Sequence, residues 1–542
     1  MNRRNFIKST STVGLITTLG IPAGAAIIAN NEEESSDDFN NPFQLNEISI
    51  SELQELMKSG KQSSRSLTKM YLDRIEKIDK KGPKLNSVIE LNPDALAIAS
   101  KMDAEREIGK IRGLMHGIPV LIKDNINTAD KMQTTAGSLA LAGNMASEDA
   151  FIVKKLREAG AVILGKTNLS EWANFRSSRS CSGWSSRGGQ TKNPFILDRS
   201  PSGSSSGSGS SVSANLCAIA IGTETNGSVT APSSSNGIVG LKPTVGLLSR
   251  SGIIPISKTQ DTAGPMGRNV ADVATLLSVL TGVDSEDEIT KNSQGKAPQD
   301  YTKYLQTGAL KGKRIGFEKS FLSGHEGVVA LYKNAIEKFK ELGAEVVEIE
   351  LLKEMRVIGA ASFTVLQCEF KDGLNAYLEK TNAKVKNLTE VIAYNKTNES
   401  TAMPYFKQET LESSDKAPDL NSTVYKEALV KVLSSRKIIT DLMAKNQLDA
   451  IAGTTYGIPS PIDLFNGDAG NGFYFCSPPA MAGFPHITLP MGKIYELPVG
   501  LSIMAGAYEE PKIIGFAYAF EQATKHRTAP KFLKFSNFSS GI

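Results

Sequence analysis

Short apolar runs that stop abruptly on a charge or a glycine recur along this chain, and amphipathic helical stretches separate them. Ile118-Pro119-Val120-Leu121-Ile122 ends on Lys123-Asp124, and Ala161-Val162-Ile163-Leu164 ends on Gly165. Between them, residues 150–159 form an amphipathic helical stretch that Gly160 stops. A run without polar alternation reads as a strand buried on both faces, which requires helices above and below the sheet. The alternation continues through 217–221 and 237–241, then 314–317, 328–342 and 345–349. Strand signals return at 448–452, 486–491 and 500–504, and a last helix falls at about 514–524. The expectation is an α/β fold in one large domain, 46–542, with a central mixed sheet covered by helices on both faces. Residues 352–440 are mostly polar helix and loop and read as an insertion or cover. Ahead of the first strand, Ser51-Glu52-Leu53-Gln54 predicts a capped helix start. Leu67, Met70, Tyr71, Ile75 and Ile78 mark a second helix, and 93–107 a third.

Charge and composition narrow the function classes. A net charge of +4 without long Lys/Arg clusters gives no basic stripe for nucleic acid. Four His and four Cys are scattered with no C-x-x-C spacing, so no metal site and no cofactor is expected. The front of the chain reads as targeting. Arg3-Arg4-Asn5-Phe6-Ile7-Lys8 precedes a weakly apolar, Gly- and Thr-containing stretch, and small residues follow at Ala23-Gly24-Ala25-Ala26. Residues 1–29 therefore predict an export signal of twin-arginine type and a periplasmic location, with 30–45 a disordered leader. Arg3, Arg4 and Lys8 leave with the signal, so the remainder is nearly neutral. No other run of 18 or more apolar residues occurs, and no membrane span is expected after it.

The most unusual stretch is Ser200-Pro201-Ser202-Gly203-Ser204-Ser205-Ser206-Gly207-Ser208-Gly209-Ser210-Ser211. Its composition reads as a flexible linker. Its position between two buried segments of one domain reads instead as a loop bringing backbone N–H groups and hydroxyls to a ligand. Composition and placement leave both readings open.

Several blocks in order resemble the amidase signature family. Ser202-Gly203-Ser204-Ser205-Ser206-Gly207 and Asn226-Gly227-Ser228 stand where that family has its glycine-serine loop and its Gly-Gly-Ser turn. Gly117-Ile118-Pro119-Val120-Leu121-Ile122-Lys123-Asp124-Asn125 is similar to its lysine strand. Further blocks lie at 165–171, 237–244 and 497–502. The resemblance covers most of the chain after residue 45. It implies a serine amidohydrolase in which Ser228 attacks the carbonyl, Ser204, with a cis peptide bond in the family, relays the proton, and Lys123 is the base. Thr225, Asn226, Gly227 and Ser228 would supply oxyanion-hole N–H groups. The chemistry asks for such a set, because an amide is a poor electrophile: the hydroxyl must be activated and the oxyanion stabilised. Lys123 serves as a base only when neutral, and burial lowers a lysine pKa.

Departures from the family pattern are informative. Ser202 and Ser206 replace glycines, and Thr230 stands where many members carry Arg. The wording Thr223-Glu224-Thr225-Asn226-Gly227-Ser228 is closer to bacterial peptide-amidase-like members, which implies a small-molecule or peptide C-terminal amide as substrate and not a charged tRNA. Substrate contacts are conceivable at Tyr456, Asp463 and Phe475. Three other readings compete. Gly203-Ser204-Ser205-Ser206-Gly207 also satisfies G-x-S-x-G, which would make Ser205 the nucleophile of an α/β-hydrolase-type esterase with His486 or His526. Ser66-Leu67-Thr68-Lys69 satisfies the S-x-x-K of penicillin-recognising enzymes. The third reading is a non-catalytic periplasmic binding protein.

Overall fold

A computed structural model describes residues 43–535; the segment read as export signal, and all but the last residues of the leader, lie outside them. Thirteen strands occur among the described residues. They are β1 Val88–Leu91, β2 Pro119–Lys123, β3 Val162–Thr167, β4 Trp184–Ser185, β5 Gly189–Gln190, β6 Ile219–Glu224 and β7 Val239–Lys242. Then follow β8 Thr262–Gly267, β9 Arg314–Glu318, β10 Glu345–Ile349, β11 Ala450–Thr454, β12 His486–Ile494 and β13 Leu497–Met504. Eleven form one sheet in the order β1-β3-β2-β6-β8-β7-β12-β13-β11-β9-β10, and β4 pairs only with β5. The sheet is mixed. β2 runs parallel to β3 and β6, β9 runs parallel to β10 and β11, and the pairs from β6 through β8, β7, β12 and β13 to β11 are antiparallel. Every residue of β2, β3, β6, β7 and β8 is buried, as strands covered on both faces must be.

Two strands of the eleven-stranded sheet, β1 and β8, carry no uninterrupted apolar run and have no counterpart in the sequence reading, nor has the small β4–β5 pair. β8 is Thr-Ala-Gly-Pro-Met-Gly, yet it is central. Its Pro265 lies opposite Ile221 of β6, beyond the last β7 pairing, which ends at Met266 and Gly267. A central proline is tolerated where no second neighbour asks for its N–H. β1 is short and half-exposed at the sheet edge. The first helix, Ile50–Lys58, is capped by Ser49 and not Ser51. The Glu52 N–H donates to the Ser49 hydroxyl at 3.2 Å, and the Ser49 N–H donates to the Glu52 carboxylate at 2.8 Å.

The serine-rich stretch is neither linker nor plain loop. Ser206–Ser213 is a helix with every residue buried. Burial of so many hydroxyls is tolerable only because each finds a partner. Ser208 donates to the Ile221 carbonyl at 3.1 Å, Ser210 to the Lys192 carbonyl at 2.9 Å, and Ser213 to the Asn236 carbonyl at 2.7 Å. Small side chains let this helix lie against the backbone of its neighbours. A Cβ on Gly207 would run into the Ser87 and Asn168 carbonyls.

Over residues 351–445 the chain is mainly helical, with the long helices Gly359–Glu379 and Thr423–Lys445 packed on each other. Phe370, Leu374 and Leu378 join Trp172, Phe175 and Ile256 in one apolar cluster. Arg176 ties this cover down: it is fully buried, pairs with Glu171 at 3.0 Å, donates to the Ala402 and Phe406 carbonyls at 2.6 and 2.9 Å, and lies over the Phe406 ring at 4.2 Å.

Candidate active site

Lys123 ends β2, the strand flanked by two parallel neighbours, and is fully buried. Its Nζ is hydrogen bonded to Ser204 Oγ at 2.8 Å, Thr223 Oγ1 at 2.9 Å and the Thr223 carbonyl at 3.2 Å. Burial drives its pKa down to about 7, against the smaller upward pull of the Asp261 and Glu224 carboxylates. Loss of hydration penalises the ammonium form, so a neutral amine is available near neutral pH.

Ser204 stands at the end of the loop that leads into the buried serine helix, and the Gly203–Ser204 peptide bond is cis. The Ser204 carbonyl accepts from the Ser170 N–H at 3.1 Å. Next to it, the Ser205 N–H donates to the Ser228 carbonyl at 3.1 Å, which ties the two candidate serines together through the backbone. Ser202 takes the left-handed conformation, φ 58°, at a position where the family usually has glycine. Its carbonyl accepts from the Ser206 hydroxyl at 2.6 Å, so the two serines that depart from the family pattern hold each other.

Ser228 sits on the turn between β6 and the helix Thr230–Ser235. Gly227 adopts φ 80°, and a Cβ there would collide with the Tyr474 hydroxyl, so only glycine fits. The Glu224 carboxylate caps the turn from below, accepting from the Val229 and Thr230 N–H groups at 2.8 and 2.9 Å and from the Thr230 hydroxyl at 3.1 Å. The residue that stands where the family usually has Arg thus helps to hold the turn that carries Ser228. The Asn226 carbonyl accepts from the Tyr474 hydroxyl at 2.9 Å. Thr225 is held by its hydroxyl on Asp261 at 2.5 Å and by Gln260 on its carbonyl at 3.2 Å. The N–H groups of Asn226, Gly227 and Ser228 donate to no protein acceptor among the described residues, which leaves them free for a ligand oxygen.

A cavity of about 290 Å³ opens on Ser228, bordered by Gly203, Asn226, Phe175, Leu366, Tyr456, Tyr474 and Asp468 among others. A second, of about 260 Å³, shares Ala173, Thr225 and Ile256 with it and reaches Asn125 and Thr223 beside Lys123. Of the expected substrate contacts, Tyr456 lines the first cavity. Phe475 is buried against Phe321 and His486, and Asp463 accepts from the N–H groups of Phe465 and Asn466 in its own turn. Asp468 and Tyr474 were missed; the Asn/Gly/Asp-rich stretch 466–472 marks a loop, the one signal that could have pointed there.

The competing constellations do not assemble. The Ser205 hydroxyl is fully buried and donates to the Thr223 carbonyl at 3.1 Å. His486 is hydrogen bonded to Ser502 at 2.6 Å between β12 and β13, and His526 packs on the Phe520 ring. Ser66 belongs to the cap of its own helix, and Lys69 is exposed and paired with Asp73. No group of His, Cys, Asp and Glu able to hold a metal occurs among the described residues.

Sheet and site together define a hydrolase acting on amides, and comparison with known proteins agrees. Residues 66–514 match the family model described as Amidase. The crystal structure of peptide amidase from Stenotrophomonas maltophilia superposes with a TM-score of 0.86 at 46% identity, covering 91% of this chain and 100% of that one. A probable amidase of Arabidopsis thaliana is 40% identical over 91% of this chain and 93% of its own length. A glutamyl-tRNA(Gln) amidotransferase chain of Thermoanaerobacter pseudethanolicus is 34% identical over 90% of this chain and 99% of its own. The chain belongs to the amidase signature family.

Proposed function

We propose that this amidase removes the C-terminal amide group of peptides through an acyl-enzyme on Ser228. The observation that carries the chemistry is the buried Lys123 amine on Ser204 Oγ, with Ser204's neighbour bound to the Ser228 backbone and a cavity open on Ser228. For the substrate, support comes from the 46% identity to a protein named peptide amidase, against 34% to the amidotransferase chain. Neutral Lys123 takes the Ser204 proton as Ser204 takes that of Ser228, and Ser228 Oγ forms a bond to the amide carbon. The oxyanion lies on the free N–H groups of Asn226, Gly227 and Ser228. Lys123 then returns the proton through Ser204 to the amide nitrogen, the C–N bond breaks and ammonia leaves. Water repeats the sequence, its proton taking the same route, its oxygen joining the acyl carbon and Ser228 recovering its hydrogen as the acid departs. The test is ammonia release from peptide amides alongside aryl and fatty amides. Faster turnover of the peptide amides, abolished in Ser228→Ala, supports the reading; preference for aryl or fatty amides refutes the substrate class.

We also propose export by the twin-arginine route, from Arg3-Arg4 and the stretch behind them. Arg3→Lys with Arg4→Lys should trap the chain in the cytoplasm of its host; unchanged export contradicts the route.

A further inference from the structure

Asp468 is the one charged side chain among the described residues lining the Ser228 cavity. The residue is exposed, while its carboxylate is partly shielded and held from one side, accepting from the Ser182 N–H at 3.0 Å and from the Ser182 hydroxyl. Asn174 in turn donates to that hydroxyl at 3.0 Å. No lysine, arginine or histidine among the described residues pairs with Asp468, so its charge faces the cavity uncompensated. Tyr456 and Tyr474 border the same space with ring centroids 6.2 Å apart, and aromatic faces attract cations. The adjoining cavity adds to the field, with five acidic lining residues against Arg250 and Lys258.

We infer that the Ser228 site selects amides that carry a positive charge, and that Asp468 is the specificity-determining residue that binds it. The cation is a free α-ammonium group or a basic side chain of the peptide. This rests on the peptide-amidase reading and deepens it. A carboxylate product meets a negative wall, which favours its departure once the amide has been cleaved.

The test uses four substrates: alanyl-lysine amide and alanyl-norleucine amide, each with a free and with an acetylated N-terminus. Norleucine keeps the aliphatic length and removes the charge, and acetylation removes the other charge. For the wild-type enzyme, kcat/KM should fall about tenfold when the recognised cation is removed, as expected for loss of a close charge pair in a confined site. The pair of substrates showing the fall identifies which cation is read. Asp468→Asn should bring that ratio to about one, and Asp468→Glu should retain most of it. A merely structural role would slow all four substrates alike and leave the ratio intact, which overturns the inference. So do rates within twofold of each other across the four in the wild type. Turnover of none of the four, with Ser228 still labelled by a fluorophosphonate, overturns the peptide reading itself and this inference with it.

Discussion

A lysine enclosed on every side titrates where a base is useful. Burial brings Lys123 down to about 7, while Asp261 and Glu224 pull the other way. In the proposed mechanism the working form is the neutral amine, so activity is expected above that pKa and lost as pH falls through it. kcat/KM should therefore drop about tenfold per unit below pH 7 and level off above it. Asp261→Asn removes a charge that favours the ammonium, so the acidic limb should move to lower pH in a rate profile. Lys123→Arg, which never deprotonates near neutrality, should lose about a thousandfold or more in kcat. The candidate site was legible for a joint reason. Lys123, Ser204 and Ser228 each have a bland reading alone, and only the lysine strand and the Asn226-Gly227-Ser228 turn together singled them out. Asp468 and Tyr474 were not legible, because nothing in the sequence says which loop closes over the site.

At the scale of elements, the glycines and serines that look like a linker are what permits close packing. The helix Ser206–Ser213 touches backbone at Gly207, where a Cβ would meet the Ser87 and Asn168 carbonyls. Gly207→Ala should cost about 1–3 kcal/mol in unfolding free energy by forcing those segments apart, measurable by denaturant titration. The turn after β6 depends on Glu224 in the same way. Glu224→Ala strips three hydrogen bonds from the segment following Ser228 and should lower kcat far more than it raises KM. Apolar runs revealed β2, β3, β6 and β7, where burial on both faces is met by Val, Ile and Leu. They could not reveal β8, which is central yet built of Thr, Ala, Gly, Pro and Met. Nor could composition show the serine helix, whose burial depends on partners far away in sequence.

At the scale of the whole molecule, the helices over residues 351–445 form one apolar cluster with Trp172 and Phe175, and Leu366 from them reaches the cavity. Arg176 joins that cover to the body beside the site. Its removal leaves Glu171 buried without its cation, and Arg176→Met should reduce stability by about 3–5 kcal/mol, read from the shift in the denaturant midpoint. Cover and sheet together enclose the cavity that opens on Ser228, and the proposed mechanism requires a covalent bond there. The most direct measurement is mass spectrometry of the enzyme quenched after reaction with a fluorophosphonate, with the adduct located by peptide mapping. The expected result is one adduct, on Ser228, forming at a rate that falls below pH 7 and collapses in Ser204→Ala and Lys123→Ala. An adduct on Ser205 or another serine, or labelling of Ser228 at an undiminished rate without Lys123, would contradict it.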